Sequence, residues 1–337
     1  MKISSTVRRN MQVNGQGTAT IFGERQHTWA QFGDRIARLA AGLSGLGLDS
    51  GDRVAVLSLN NDRYMESYFG VPWGGYVLVP INTRLAPPEI EFWLNDSGST
   101  VLMVDEAFVE MVPKIQAHLE TVKHVVFLGD GPVPKGMISF EGLLEGVSPS
   151  EAADTASDDL AMLYYTGGTT GRSKGVMLSQ HNVLYDALLF APTVGYRDHS
   201  VYLHAAPMFH IADGTCTFAI ATAAGTSVII PGFEPKAALT AIQDHKVSVT
   251  LWVPTMINMA MHSPGVEDFD LSSMVDMMYG ASPMPEAVVR RAMEGMPHTR
   301  FHHAYGQTES APILTMLAPD RHIPDTDTGK FGSCGQA

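Results

Sequence analysis

Apolar residues recur at helical intervals early in the chain, where Phe32, Ile36, Leu39, Leu43 and Leu46 form one stripe. Thr28 and Gln31 stand at capping-box spacing ahead of it, so the pattern predicts a helix that begins at Thr28 and stops at the glycines around Gly47. After Gly51 and Asp52 the period changes. The run from Arg53 to Leu59 is short, apolar and β-branched, as expected of a strand buried on both faces in a parallel sheet. A helix over about Asp62–Val71 follows.

The alternation then repeats. Strands are predicted near Tyr76–Pro80, Thr100–Val104 and His124–Leu128, with helices holding Pro88–Leu94 and Ala107–Leu119. A Gly/Pro-rich stretch from Gly129 to Gly136 and a Ser/Ala/Asp-rich one up to Asp159 read as surface loop. The rhythm resumes with strands near Leu160–Tyr164, Val201–Ala205, Ser227–Ile230, Ser248–Val253 and Met274–Tyr279. Helices around Asn182–Phe190, Ala212–Thr222, Ala237–His245, Thr255–His262 and Glu286–Met293 separate them. The expected fold class is α/β, with two parallel-sheet subdomains. Such sheets bind ligands beyond the carboxyl ends of their strands, so the loops there are where chemistry is sought.

One long weakly charged stretch, Thr215–Pro231, is broken by Gly225 and ends in a β-branched run, which favours a buried helix and strand over a membrane span. The N-terminal segment has basic residues with no apolar core after them, unlike a secretory signal. The 337 residues suffice for two ordinary domains, and 17% charged residues suit extensive burial. With 22 Lys and Arg against 35 Asp and Glu, the net charge of −13 argues against a nucleic-acid surface. A polyanion would need a local cradle of N–H donors, a lysine and a metal. Cys216 and Cys334 are too few for a disulfide framework, which suits a reducing cytoplasm.

The segment Tyr164–Met177 supplies such a cradle. Gly167, Gly168 and Gly171 permit close backbone approach to an anion; Thr166, Thr169 and Thr170 add hydroxyl donors, and Lys174 adds a point charge. Neither Walker A nor G-x-G-x-x-G spacing is met. The loop instead resembles the phosphate loop of the acyl-CoA synthetase, adenylation-domain and luciferase superfamily, usually Y-T-S-G-T-T-G-x-P-K-G. It departs at Gly168, where serine is common, and at Ser173, where proline is common. Neither change removes a charge.

A second block, Ala304–Ser310, resembles the same family's Y-G-x-T-E motif. The resemblance implies that Tyr305 and Gly306 border adenine, that Thr308 contacts the α-phosphate, and that Glu309 holds Mg²⁺. Ala206–His210 resembles the P-x-F-H segment, placing His210 at the acyl-carboxylate pocket. Gly280, Ala281 and Ser282 resemble the segment that lines the adenine and acyl channel. A metal at His302, His303 and His298 is disfavoured, because adjacent strand residues face opposite ways and no ligand set is complete.

The resemblance therefore implies an ATP- and Mg²⁺-dependent acid:thiol ligase, with CoA as co-substrate and a fatty or other apolar acid as substrate. Lys174, Thr308, Glu309 and His210 are its expected catalytic residues in this chain. The expected division is residues 51–195 as one subdomain ending in the phosphate loop, 1–50 with 196–325 as a second, and 326–337 as the start of a β-barrel segment. In the family, a ribose-binding aspartate, a hinge and a small domain with the adenylating lysine come later, so the chain resembles the large N-terminal part, with little turnover expected of it alone. Transfer to a carrier protein, a non-turnover binding module and a homodimer stay open.

Overall fold

The computed structural model describes residues 1–167, 171–323 and 329–337. In chain order, α1 (Ile3–Val13) precedes β1 (Thr18–Phe22) and β2 (Arg25–Thr28), and α2 (Trp29–Gly45) follows directly. Thr28 and Gln31 form the predicted capping box, each side chain bonded to the other's backbone N–H. The α2 stripe is buried along Phe32, Ile36, Leu39 and Leu43.

Next come β3 (Arg53–Leu57), α3 (Asp62–Trp73), β4 (Val77–Pro80), α4 (Pro87–Ser97) and β5 (Ser99–Val104). Then follow α5 (Val112–Ile115), β6 (His124–Phe127), β7 (Ile138–Ser139) and α6 (Phe140–Leu144). The helix predicted over Ala107–Leu119 is instead one short α-turn flanked by 3₁₀ turns. Pro113 sits early in that α-turn, and Pro lacks the N–H a longer helix would need. The first unit closes with β8 (Leu160–Thr166), β9 (Lys174–Ser179) and the start of α7 (Gln180–Val194).

This unit comprises Met1–Gln16 and His27–Tyr185. Its sheet runs β7-β6-β5-β3-β4-β8-β9, parallel throughout except for the antiparallel β8–β9 pair. The expectation that residues 1–50 belong with the later lobe is corrected here for Met1–Gln16 and from His27 onward; only Gly17–Gln26 falls in the later unit. Gly70 of α3 lets the two helices close up, since a Cβ there would fall 2.7 Å from Leu39. Arg35 of α2 donates to buried Glu66 of α3 at 2.6 and 3.1 Å, and to Glu141 of α6 at 3.0 Å. Packing of the α2 stripe, which periodicity reveals without naming its partner, decides the assignment.

The second unit comprises Gly17–Gln26 and Asp186–Ala337. It contains β10 (Val201–His204), α8 (Ile211–Ala223), β11 (Thr226–Ile229), α9 (Pro235–His245) and β12 (Val249–Trp252). After α10 (Pro254–Met261) come β13 (Asp276–Gly280), α11 (Glu286–Gly295), β14 (Arg300–Gly306) and β15 (Ile313–Leu317). The sheet order is β15-β14-β13-β12-β10-β11-β1-β2; the pairs from β1 to β14 are parallel, and β15 returns antiparallel to β14. The ambiguous Thr215–Pro231 stretch is α8, buried over most of its length, then β11. Among the described residues no helix is long and apolar enough to cross a membrane. Of the segment 326–337, the described part lies in this unit, where Met316 and Gln336 form an antiparallel bridge.

Candidate active site

In the first unit, the segment expected to bind phosphate joins two paired antiparallel strands. Thr166 ends β8, Lys174 opens β9, and the two are direct cross-strand partners. Expected in one turn-rich loop, Thr166 and Lys174 instead sit on strand ends that face one another across the β8–β9 pair. Gly167 is exposed with open space around it, and Gly171 takes φ 153°, a conformation that side-chain-bearing residues rarely adopt. Lys174 is exposed. Gly168, Thr169 and Thr170 lie outside the described residues.

The root of that strand pair is fixed on both faces of the sheet, because successive strand residues point opposite ways. Tyr164 turns inward and shares a 2.9 Å hydrogen bond with Tyr68 of α3. Tyr165 stacks on Trp93 of α4 at 4.8 Å and donates to Asp96 at 2.6 Å. Arg172, shortly before β9, lies over Phe92 at 5.4 Å. These anchors were missed in the sequence. The adjacent Tyr164 and Tyr165 were the visible signal, two aromatics on opposite faces at the foot of a glycine loop.

In the second unit, three predicted segments leave the carboxyl ends of β10, β13 and β14, which lie within four adjacent parallel strands. They therefore emerge at one end of one sheet. After β10, Met208 and Phe209 are buried while His210 is exposed, its ring 4.4 Å from that of Phe209, just ahead of α8. After β13, Gly280 is pressed against β14: a Cβ there would stand 2.1 Å from the Ala304 carbonyl oxygen. Ala281 follows at φ 63° and, with Ser282, is exposed.

After β14, the chain turns sharply. Gly306 faces the Pro312 carbonyl oxygen so closely that a Cβ would lie 1.8 Å from it, and Gln307 N–H donates to that same oxygen at 3.0 Å. Thr308–Ser310 form one 3₁₀ turn before β15. The turn leaves Tyr305 52% exposed, enough free ring face to stack on a base. Glu309 is exposed, and no ion pair among the described residues engages its carboxylate. An accessible hard oxygen donor of this kind fits Mg²⁺, which takes one or two carboxylates beside phosphate oxygens.

Aromatic packing secures β13 to β14 below these turns. Tyr279 stacks on its register partner His303 at 4.7 Å, and its hydroxyl donates to His322 Nε2 at 2.8 Å. His322 Nδ1 donates to the Ala318 carbonyl, and His303 Nδ1 to that of Ser333. Burial pushes the His322 imidazole down to about 4, so it is neutral near pH 7 and can accept the tyrosine proton. The His302–His303 pair splits as strand geometry requires: His302 donates to Asp276 at 2.8 Å, while His303 serves Tyr279. No metal-binding group of three or more such side chains occurs among the described residues.

An open groove of about 460 Å³ in this unit, lined by Ile21, Glu234, Lys236 and Asp244 among others, contains none of the predicted site residues. The description of AMP-binding enzymes matches residues 7–337. This chain belongs to the AMP-binding enzyme family. A feruloyl-CoA synthase of an Amycolatopsis species is 32% identical to it over 332 residues, covering 97% of this chain and 62% of the relative. Indoleacetate–CoA ligase of Aromatoleum aromaticum is 30% identical over 341 residues, covering 100% of this chain and 65% of the relative. The chain thus spans a little under two thirds of the length of these family members.

Solved structures agree on the fold. Anthranilate CoA ligase AuaEII, in complex with anthranoyl-AMP, superposes with a TM-score of 0.91 at 26% identity, over 98% of this chain and 64% of that one. The N-terminal domain of FACL13 from Mycobacterium tuberculosis gives 0.89 at 29% identity, over 100% of this chain and 82% of that one. The two-sheet architecture is that of the large N-terminal domain of acyl-CoA synthetases.

Proposed function

We propose that this chain forms the nucleotide- and acid-binding part of an enzyme that activates an apolar carboxylic acid with ATP and passes the acyl group to CoA. The observation that carries the reading is the Tyr305–Glu309 turn. It presents a half-exposed tyrosine, a hydroxyl and an exposed carboxylate within five residues at the carboxyl end of a parallel strand. The named relatives, all acid–CoA ligases, support the same chemistry. The acids of feruloyl-CoA synthase and indoleacetate–CoA ligase, ferulic and indoleacetic, both carry an aromatic body.

In this reading the acid carboxylate attacks the α-phosphorus of ATP, the bond from that phosphorus to the bridging oxygen breaks, and pyrophosphate leaves. A thiolate then attacks the acyl carbon, and AMP departs. The first step joins two anions, so its transition state needs positive charge and N–H donors held in place beforehand. Lys174 and the amides of Gly167 and Gly171 suit the β- and γ-phosphates, Thr308 the α-phosphate, and Tyr305 the adenine face. His210, exposed beside buried Phe209, suits the substrate carboxylate. Glu309 would hold Mg²⁺, which supplies neutralisation of phosphate charge. Gly280, Ala281 and Ser282 offer backbone to the same ligands.

The test is product analysis on the native-length protein with Mg·ATP, CoA and a panel of aromatic and fatty acids. Formation of AMP and an acyl-CoA thioester in equal amounts is expected. AMP without thioester, together with acylation of a holo-carrier protein, would reassign the acceptor. No AMP with any acid would overturn the reading.

A further inference from the structure

We propose that Asp186 is a positioning residue which, through Ile313 and Thr215, holds the Tyr305–Glu309 turn against the helix that follows His210. The role assigned to that turn rests on the functional reading above; the tether itself does not.

Asp186 is the only acidic residue in α7, whose sequence around it is otherwise apolar. Its carboxylate is buried and accepts two neutral hydrogen bonds in its own unit. Oδ1 receives the backbone N–H of Ile313 at 3.2 Å, and Oδ2 receives the Thr215 hydroxyl at 3.3 Å. Ile313 opens β15 directly after the turn, and Thr215 lies on α8, whose N-cap is His210. One carboxylate therefore ties the downstream foot of the adenylate turn to the helix beginning at the acid-side segment.

Stability alone does not account for an acid there. A buried carboxylate loses several kcal/mol of hydration, and two neutral donors with no cation return less than that. Burial accordingly pushes the Asp186 carboxyl up to about 7 against both donors. The tether, by contrast, has a clear task. The turn is rooted in the β14–β15 pair, where Tyr305 meets Thr315. Its tip bends through a largely exposed 3₁₀ segment whose bonds, such as Gln307 N–H to Pro312, are internal, so the sheet alone holds it from one side. Catalytic groups on an exposed turn need such outside support to stay within about half an ångström of a productive geometry.

The experiment compares Asp186→Ala and Asp186→Asn with wild type, all as the native-length protein, by amide hydrogen exchange and by ATP–pyrophosphate exchange. Asn keeps an acceptor for Ile313 N–H and can still engage Thr215, whereas Ala loses both. Expected for Asp186→Ala is roughly tenfold faster hydrogen exchange confined to residues 305–313. Adenylation kcat should fall by about tenfold or more with a smaller change in KM for the acid. Asp186→Asn should restore both to within about threefold of wild type. Unchanged protection of 305–313 in Asp186→Ala, loosening spread through the whole unit, or local loosening with wild-type kcat would each overturn the proposal. A wild type without acid-dependent turnover would refute the functional reading instead, leaving hydrogen exchange to decide the tether.

Discussion

Replacing Gly306 by Ala inserts one methyl group where the backbone of the adenylate turn folds on itself. The new Cβ would stand 1.8 Å from the Pro312 carbonyl oxygen, 2.7 Å from its carbon and 3.1 Å from Ile313 Cα. All three are backbone atoms, so no rotamer change relieves the clash, and the Pro312 carbonyl must retreat by more than an ångström. That retreat breaks the 3.0 Å bond from Gln307 N–H, a loss of about 1 kcal/mol. Overpacking adds roughly 1–3 kcal/mol, for a total of about 2–4 kcal/mol. The thermal midpoint should drop by roughly 5–15 °C. Because Thr308 and Glu309 ride on the displaced turn, adenylation should fall on the order of 10²-fold. Calorimetry with ATP–pyrophosphate exchange reads both, and Gly232→Ala, at a site with open space, serves as a control. A Gly306→Ala protein with wild-type midpoint and exchange rate would refute the crowding argument.

Thr28→Ala should remove one half of the α2 capping box and cost about 1 kcal/mol, read as an unfolding midpoint shift with unchanged catalysis. His322 has a folded pKa of about 4, below its ordinary 6.5, so the unfolded chain binds more protons between the two. Its contribution to stability is full above pH 6.5 and drains away as pH falls toward 4. His322→Gln, which cannot titrate, should flatten that part of the stability profile; an unaltered acid limb would contradict the assignment.

The helix from Thr28 was legible because its cap and stripe are local, and the buried strands because β-branched runs between glycines have few other fates. The segments after β10, β13 and β14 stood out by their resemblance to family motifs; their common position at the carboxyl ends of parallel strands comes from the fold, and β14 itself was not among the expected strands. The hairpin of β1 and β2 was not visible: Arg25–Thr28 has no apolar alternation, and its pairing is with the sheet edge of a unit mostly built far downstream. Strand β9 hid behind the phosphate loop, being half exposed and read as part of its turn. Asp186 and His322 carry no motif; their roles come from partners 127 and 43 residues away, which only the folded chain brings together. The lone acid in an apolar helix was the trace of one of them.

In the proposed function, the Tyr164–Met177 segment and the Tyr305–Glu309 turn serve the activation of an acid by ATP. Acid-dependent ATP–pyrophosphate exchange in the native-length protein tests it most directly, with Lys174→Ala and Glu309→Ala beside wild type. Exchange that requires an apolar carboxylic acid, and falls by roughly 10²-fold in both variants, is the predicted result. Exchange with no acid of the panel, or wild-type rates in both variants, would contradict it.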